Sequence, residues 1–143
     1  MVEAAVESGG AATQRERVPV PDRPVLIVED DPGIRAVLAD FLTEEGYGVQ
    51  AVADGAAALR YLFTHPTPCC ILLDLRLPVV SGLTLRRALQ RDPELAAIPV
   101  IVVSAQRPTT RMRTDLHVTA YLEKPFTLDQ VLALVQEHSR VAD

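Results

Sequence analysis

Short runs of apolar residues alternate along this chain with segments in which apolar positions recur every three or four residues. The short runs have the length and continuity of strands that are buried on both faces of a sheet. The longer segments have the period of amphipathic helices. This alternation predicts parallel strands joined by right-handed crossovers, with helices on both faces of the sheet. We therefore expect an α/β fold with three layers, a doubly wound sheet of five parallel strands at residues 25–28, 49–52, 69–73, 99–103 and 120–122.

Local signals predict where the helices begin. Asp31 before Pro32 is typical of an N-cap followed by proline at the first helical position. Asp54 is expected to cap a second helix, and Thr127 with Gln130 predicts a capping box at the start of the last one. Further helices are predicted over 83–90 and, with a weaker pattern, over 109–116, and the apolar face of the first helix is expected to comprise Ile34, Val37, Leu38, Phe41 and Leu42.

Composition limits the class of protein. The chain has 143 residues, of which 48% are hydrophobic and 23% charged, and this suits one domain with a buried core. Residues 1–22 lack a sustained period and end in a proline-rich stretch, so we expect a disordered arm before a domain over 23–143. The net charge of −5 disfavours direct DNA binding. No apolar run is long enough to span a membrane and no signal peptide is evident, which favours a cytoplasmic protein.

The two cysteines, Cys69 and Cys70, are adjacent at the start of a predicted strand. Neighbouring side chains on a strand point to opposite faces, so we expect two buried thiols and no disulfide between them. Three arginines in or just after the third predicted helix are expected to form a solvated face, and these are Arg86, Arg87 and Arg91.

Polar residues stand where four of the predicted strands end. Glu29 and Asp30 follow the first strand, Asp74 the third, Ser104 the fourth and Lys124 the fifth. The carboxyl ends of parallel strands meet at one edge of the sheet, where α/β proteins bind ligands. Clustered carboxylates repel one another unless a proton or a cation is present, and Mg²⁺ prefers oxygen ligands. The pattern therefore predicts a pocket for a divalent cation and a phosphoryl group.

The same residues indicate a type of reaction. Asp30 and Asp74 are the natural ligands of Mg²⁺, and Glu29 is placed to orient its waters. A carboxylate can also attack phosphorus and form an acyl phosphate. Lys124 would then neutralise charge on the phosphoryl group, and Ser104 would donate a hydrogen bond to it. Taken singly, these residues also fit structural roles, as loop carboxylates, a strand-end hydroxyl and a solvated lysine.

Four segments together resemble the receiver domains of two-component response regulators. The similarity extends over about residues 23–140. It implies a flavodoxin-like receiver fold and a response regulator of the stand-alone, single-domain type. The segments are LIVEDDP at 26–32, LLDLRLP at 72–78 with Ser81-Gly82, VVSA at 102–105 and YLEKPF at 121–126.

The resemblance implies roles for single residues. Asp74 matches the aspartate that accepts a phosphoryl group, and Ser104 and Lys124 match the hydroxyl and the lysine beside it. Tyr121 matches the aromatic switch residue that turns inward when the hydroxyl engages the phosphoryl group. The bond between Lys124 and Pro125 would be cis. The implied Mg²⁺ site consists of Glu29, Asp30, Asp74 and the backbone carbonyl of Arg76.

The function implied by the resemblance is phosphorylation-dependent signalling. The phosphoryl donor would be a histidine kinase or a histidine phosphotransfer protein. A surface around Ser104–Tyr121 and the last helix would bind a protein target that the sequence does not identify. Such domains catalyse only their own phosphotransfer and dephosphorylation and are otherwise not enzymes. Homodimer formation is left open, because the charged pairs of one common dimer type are not evident.

One region departs from the family pattern. From Ser104 to Lys124 the chain advances by 20 residues, about two fewer than in many relatives. A short, irregular or mobile fourth helix is therefore expected within the shortened region 105–119. Arg107, Arg111 and Arg113 give this region positive charge. An acidic partner surface and a solvated loop are the two interpretations of that charge.

Three other functions compete with signalling as interpretations of the sequence. A receiver-like interaction module that does not switch would keep the fold but leave an intact site idle. An aspartyl phosphatase would carry a second acid two residues after its nucleophile, where this chain has Arg76. A dinucleotide enzyme is excluded because no G-x-G-x-x-G follows the first strand. For Tyr121, a core residue with its hydroxyl at the rim is the alternative to a switch.

Overall fold

The structure is a computed structural model, and it describes residues 20–76, 81–105, 107, 110 and 118–139. Nearly all of the arm predicted over 1–22 lies outside these residues. So does the helix predicted over 109–116, apart from Thr110. Among the described residues, no helix has the length and apolar composition that a membrane span needs.

The described strands form one parallel sheet, as predicted. The strands are β1 (Val25–Val28), β2 (Val49–Val52), β3 (Cys70–Asp74), β4 (Val100–Ser104) and β5 (Ala120–Glu123). Their order in the sheet is β2-β1-β3-β4-β5, which is the 2-1-3-4-5 order of flavodoxin-like folds. The strands β3 and β4 end one residue later than predicted, because Asp74 pairs with Val103 and Ser104 pairs with Glu123 in the ladder.

Five helices connect and cover the strands of the described chain. They are α1 (Pro32–Glu44), α2 (Gly55–Thr64), α3 (Gly82–Gln90), α4 (Pro93–Ala96) and α5 (Leu128–His138). The predicted caps are confirmed: the Oδ1 atom of Asp31 accepts from the amides of Gly33 and Ile34. Thr127 and Gln130 form the reciprocal capping box of α5. The single-turn helix α4 was not predicted; it begins at Pro93 behind an Asp92 cap.

The sheet separates two apolar cores. On one face, α1 and α5 cover Val25, Ile27 and Leu72. On the other face, α2, α3 and α4 cover Leu26, Val28, Ile71, Leu73 and Val102. The strands β1, β3 and β4 are therefore buried on both faces, and this explains why their sequences are continuously apolar.

Two predictions about helix faces were partly wrong. Arg86 is only 4% exposed, whereas Arg87 and Arg91 are exposed as expected. Arg86 is buried because it lies beside the buried leucines of α3, and this burial lowers the pKa of its guanidinium. On α1, Leu38 is buried but Val37 is 52% exposed, because the apolar residues extend beyond the part of the helix that the sheet covers.

The two cysteines are buried free thiols, as predicted, but they do not face opposite sides of the sheet. Both belong to the core under α1 and α5. Cys69 precedes the first residue of β3, so its side chain need not follow the alternation of side chains between the two faces of the sheet. Hydrogen bonding between the two thiols lowers the pKa of Cys69 and raises that of Cys70, which burial raises further.

Candidate metal and phosphoryl site

The ends of β1, β3, β4 and β5 bring the predicted polar residues to one edge of the sheet. Carboxylate oxygens of Glu29, Asp30 and Asp74 all lie within 4.8 Å of one another. The Nζ atom of Lys124 lies 3.3 Å from Glu29 Oε1 and 3.3 Å from Asp74 Oδ2. Residues from three separate strand ends are thus in direct contact or close to it.

Backbone and side-chain hydrogen bonds hold the loop between β1 and α1. The amide of Glu29 donates to the carbonyl of Val52 on β2 at 3.1 Å, so the ladder continues one residue past β1. The amide of Asp31 donates to Glu29 Oε2 at 3.2 Å. The guanidinium of Arg35 on α1 donates to the carbonyls of Glu29 at 2.9 Å and Asp30 at 3.3 Å. The carboxylates of Glu29 and Asp30 therefore sit on a fixed backbone.

Asp74 is the last residue of β3 and is 4% exposed. Its Oδ1 atom accepts a 2.9 Å hydrogen bond from the amide of Arg76, while its Oδ2 atom faces Lys124. The helix α3 begins close behind it, with Ser81 as N-cap and Gly82 donating to the carbonyl of Leu75 at 3.1 Å. The role predicted for the carbonyl oxygen of Arg76 stays a prediction.

The other side of the site comes from β4 and β5. Ser104 is 5% exposed at the end of β4. Its carbonyl accepts a 2.8 Å hydrogen bond from the amide of Lys124, and this bond fixes Lys124 beside Ser104. The Lys124–Pro125 bond is cis, as predicted.

Tyr121 lies on β5 and packs against the core under α2 and α3. Its ring is half-buried and its hydroxyl oxygen is shielded from solvent. The shielded hydroxyl differs from the rim position that the alternative interpretation expects, and the switch role of Tyr121 stays a prediction. Of the three arginines predicted to charge the neighbouring region, Arg107 is described, and its Nε atom lies 3.6 Å from Glu123 Oε1. Arg111 and Arg113 lie outside the described residues.

The electrostatics of the site follow from burial and from close carboxylates. Burial raises the pKa of Glu29 to about 7; the nearby Asp74 also raises it, and the Asp31 amide and Lys124 lower it. For Lys124, burial alone would lower the pKa, but the carboxylates of Glu29 and Asp74 outweigh it and raise the pKa. Burial is the main cause of the raised pKa of Glu29, and the charge of the nearby Asp74 adds to it. A divalent cation beside these carboxylates would favour their ionised forms.

The donor set suits Mg²⁺. Three carboxylates offer oxygen atoms close together; Glu29 and Asp74 are buried, while the exposed Asp30 leaves room for retained waters. Arg35, which holds the backbone of Glu29 and Asp30, was not predicted from the sequence. Arg35 had a signal, because a cation near a helix N-terminus is disfavoured unless it has local partners.

Comparison with known proteins gives a family match over most of the chain. The family model for the response regulator receiver domain matches residues 25–136. A sensor histidine kinase, TmoS of Ectopseudomonas mendocina, is 40% identical over 118 residues, which cover 80% of this chain and 12% of the kinase. The DNA-binding dual master transcriptional regulator RpaA of a Synechocystis species is 36% identical over 121 residues, which cover 83% of this chain and 50% of the regulator.

A solved structure of a similar domain supports the same comparison. It is the receiver domain of a sensor histidine kinase from Pseudomonas aeruginosa, with a magnesium ion coordinated in its active site cleft. It matches with a TM-score of 0.73 and 29% identity, over 81% of this chain and 96% of that domain. The matched region covers nearly all of that solved domain, whereas it spans half or less of the curated relatives described above.

Proposed function

The chain belongs to the response regulator receiver domain family of two-component systems, and on that premise we propose that it accepts one phosphoryl group on Asp74. The donor is a phosphohistidine of a histidine kinase or of a histidine phosphotransfer protein. One observation carries the proposal: Lys124 Nζ lies 3.3 Å from Asp74 Oδ2 within a cluster of three carboxylates whose oxygens are within 4.8 Å of one another. This arrangement supports attack by a carboxylate on a phosphoryl group.

The reaction follows from the chemistry of these groups. An oxygen of Asp74 attacks phosphorus, the P–N bond to the donor imidazole breaks, and an acyl phosphate forms. In the proposed reaction, Lys124 neutralises charge on the phosphoryl oxygens and Ser104 donates a hydrogen bond to one of them. Mg²⁺ held by Glu29, Asp30, Asp74 and the carbonyl of Arg76 would supply further charge neutralisation when bound.

Space for a donor protein is available beside the site. A groove of about 600 Å³ opens next to Lys124, and its lining is mostly apolar. On one side it is lined by the α1 residues Gly33, Ile34, Val37 and Leu38, and on the other by Pro125, Phe126 and Leu128. The exposed Val37 thereby belongs to an apolar surface beside Lys124, and the donor protein is proposed to bind there.

Phosphorylation is proposed to change a surface rather than to create a catalyst. Ser104 moves toward the phosphoryl group, Tyr121 follows, and the surface around Ser104–Tyr121 and α5 changes its affinity for a protein target in the cytoplasm. A ligand or modification acts on such a two-state system through differential interaction, and about 1–2 kcal/mol is enough to shift the populations several-fold. The net charge of −5 favours protein targets over direct DNA contact.

A phosphotransfer assay tests the proposal. Histidine kinases labelled by autophosphorylation, and phosphotransfer proteins labelled by such kinases, are mixed with the wild-type chain, Asp74→Asn and Asp54→Asn. Asp54 is the matched control, because it also follows a strand but caps α2, and asparagine caps as well as aspartate. Label should move from at least one donor to the wild type and to Asp54→Asn, but not to Asp74→Asn. Failure of every donor to label the wild type would favour the module that does not switch.

A further inference from the structure

We propose that Arg35 is a positioning residue that presents the carboxylates of Glu29 and Asp30 to the metal ion, an inference that rests on the proposed function. One nitrogen of its guanidinium, Nη1, donates to the carbonyl of Glu29 at 2.9 Å and to the carbonyl of Asp30 at 3.3 Å. The side chains of the same two residues, Glu29 and Asp30, supply two of the three carboxylates in the cluster.

The contacts fix the direction in which the loop presents its oxygens. Carbonyl oxygens are themselves potential ligands for a hard cation. Arg35 binds the carbonyl oxygens of Glu29 and Asp30. The oxygens that the loop presents to the pocket are therefore those of its side-chain carboxylates. The backbone of the loop is held from the other side by the amide of Glu29, which donates to Val52 on β2. Arg35 thus completes a frame that ties the loop to both β2 and α1.

The position of Arg35 on α1 argues against a purely incidental contact. Its own amide donates to the carbonyl of Asp31 at 2.9 Å, within the first turn of the helix. A cation there interacts unfavourably with the helix dipole. Its side chain is half-buried, which costs side-chain entropy as well. The two hydrogen bonds to the carbonyl oxygens of Glu29 and Asp30 offset these costs only while the loop keeps its present shape.

Positioning and simple charge predict opposite results for Mg²⁺ affinity. If Arg35 acted only as a nearby positive charge, its removal would strengthen the binding of a cation. If it positions the ligands, its removal weakens binding, because the carboxylates lose their preorganised geometry. Residues that orient metal ligands typically change metal affinity by about tenfold or more. The direction of the change therefore separates the two roles.

The experiment is a calorimetric titration of the unphosphorylated protein with MgCl₂, since the chain has no tryptophan to report binding. It compares the wild type with Arg35→Ala, Arg35→Gln and Arg60→Ala. Arg60 is the matched control, an exposed arginine on α2 whose loss changes the net charge equally. Circular dichroism confirms that each variant is folded at the temperature of the titration, and Arg35→Gln carries the test if Arg35→Ala does not fold.

We expect the dissociation constant for Mg²⁺ to rise about tenfold in both Arg35 variants and by less than about twofold in Arg60→Ala. An unchanged or tighter constant in the folded Arg35 variants would overturn the inference while leaving the proposed function intact. Absence of Mg²⁺ binding by the wild type would overturn both. The two failures are thus distinguishable in one series of titrations.

Discussion

Glu29 is a buried carboxyl group that shares its surroundings with Asp74 and Lys124. It is 2% exposed, and its Oε1 atom lies 3.3 Å from the Lys124 ammonium. Burial raises its pKa from 4.5 to about 7 despite that ammonium and the amide of Asp31. The cluster therefore holds a proton near neutral pH when it holds no cation, and a bound cation would displace that proton.

The raised pKa of Glu29 predicts how stability depends on pH. Because the native pKa exceeds the unfolded one, the native state binds more protons between about pH 4.5 and about pH 7. Without Mg²⁺, the free energy of unfolding should therefore fall as pH rises through this window, by on the order of 3 kcal/mol from this group. Urea unfolding in a chelator at about pH 5 and about pH 8 measures this difference.

A matched pair of variants isolates the contribution of Glu29. Glu29→Gln keeps the shape of the side chain but removes its titration, so most of the pH-dependent loss should disappear. Glu44→Gln, at an exposed position of α1, should retain it. Equal pH dependence in the wild type and in Glu29→Gln would show that Glu29 does not carry the proton.

At the scale of elements, the start of α3 is packed directly against the end of β3. A Cβ atom at Gly82 would lie 2.6 Å from the carbonyl oxygen of Asp74 and 2.6 Å from the Cα atom of Leu75. Both are backbone atoms, so no side-chain movement can relieve the overlap. The close approach of this helix therefore depends on glycine. The packing also fixes the backbone position of Asp74, the proposed phosphoryl acceptor.

Gly82→Ala should consequently destabilise the protein and disturb the site together. Overpacking of this kind costs about 1–3 kcal/mol in the free energy of unfolding. Gly48→Ala is the control, because its Cβ would meet Pro24 at an ordinary 3.6 Å, and a change below about 1 kcal/mol is expected. Chemical denaturation measures both variants, and equal stabilities for the two would contradict the proposed role of the close packing.

Most elements could be predicted because their signals are local. Asp31 with Pro32, and Thr127 with Gln130, mark helix starts within a few residues of sequence. The exact ends of β3 and β4 could not be predicted, because the pairing that extends them to Asp74 and Ser104 is made with strands distant in the sequence. The short helix α4 was missed because Pro93 was interpreted only as a helix breaker, although Asp92 makes it a helix start.

At the scale of the molecule, the contact between Lys124 and both buried carboxylates followed from one rule about where parallel strands end. The supporting contacts could not be derived in the same way. The hydrogen bonds of Arg35 depend on the path of a loop, and the burial of Arg86 depends on how neighbouring elements pack. The shared core of Cys69 and Cys70 depends on where β3 begins. Periodicity does not encode these three features.

The converged strand ends are proposed to make Asp74 a Mg²⁺-dependent phosphoryl acceptor. Intact mass measurement after incubation with acetyl phosphate tests this proposal most directly, with Mg²⁺ or with a chelator, for the wild type and Asp74→Asn. One phosphoryl group should be added to the wild type in Mg²⁺ and removed by hydroxylamine, as expected of an acyl phosphate, and none should be added with the chelator or in Asp74→Asn. The same adduct on Asp74→Asn, or one that forms equally without Mg²⁺, would contradict the proposal.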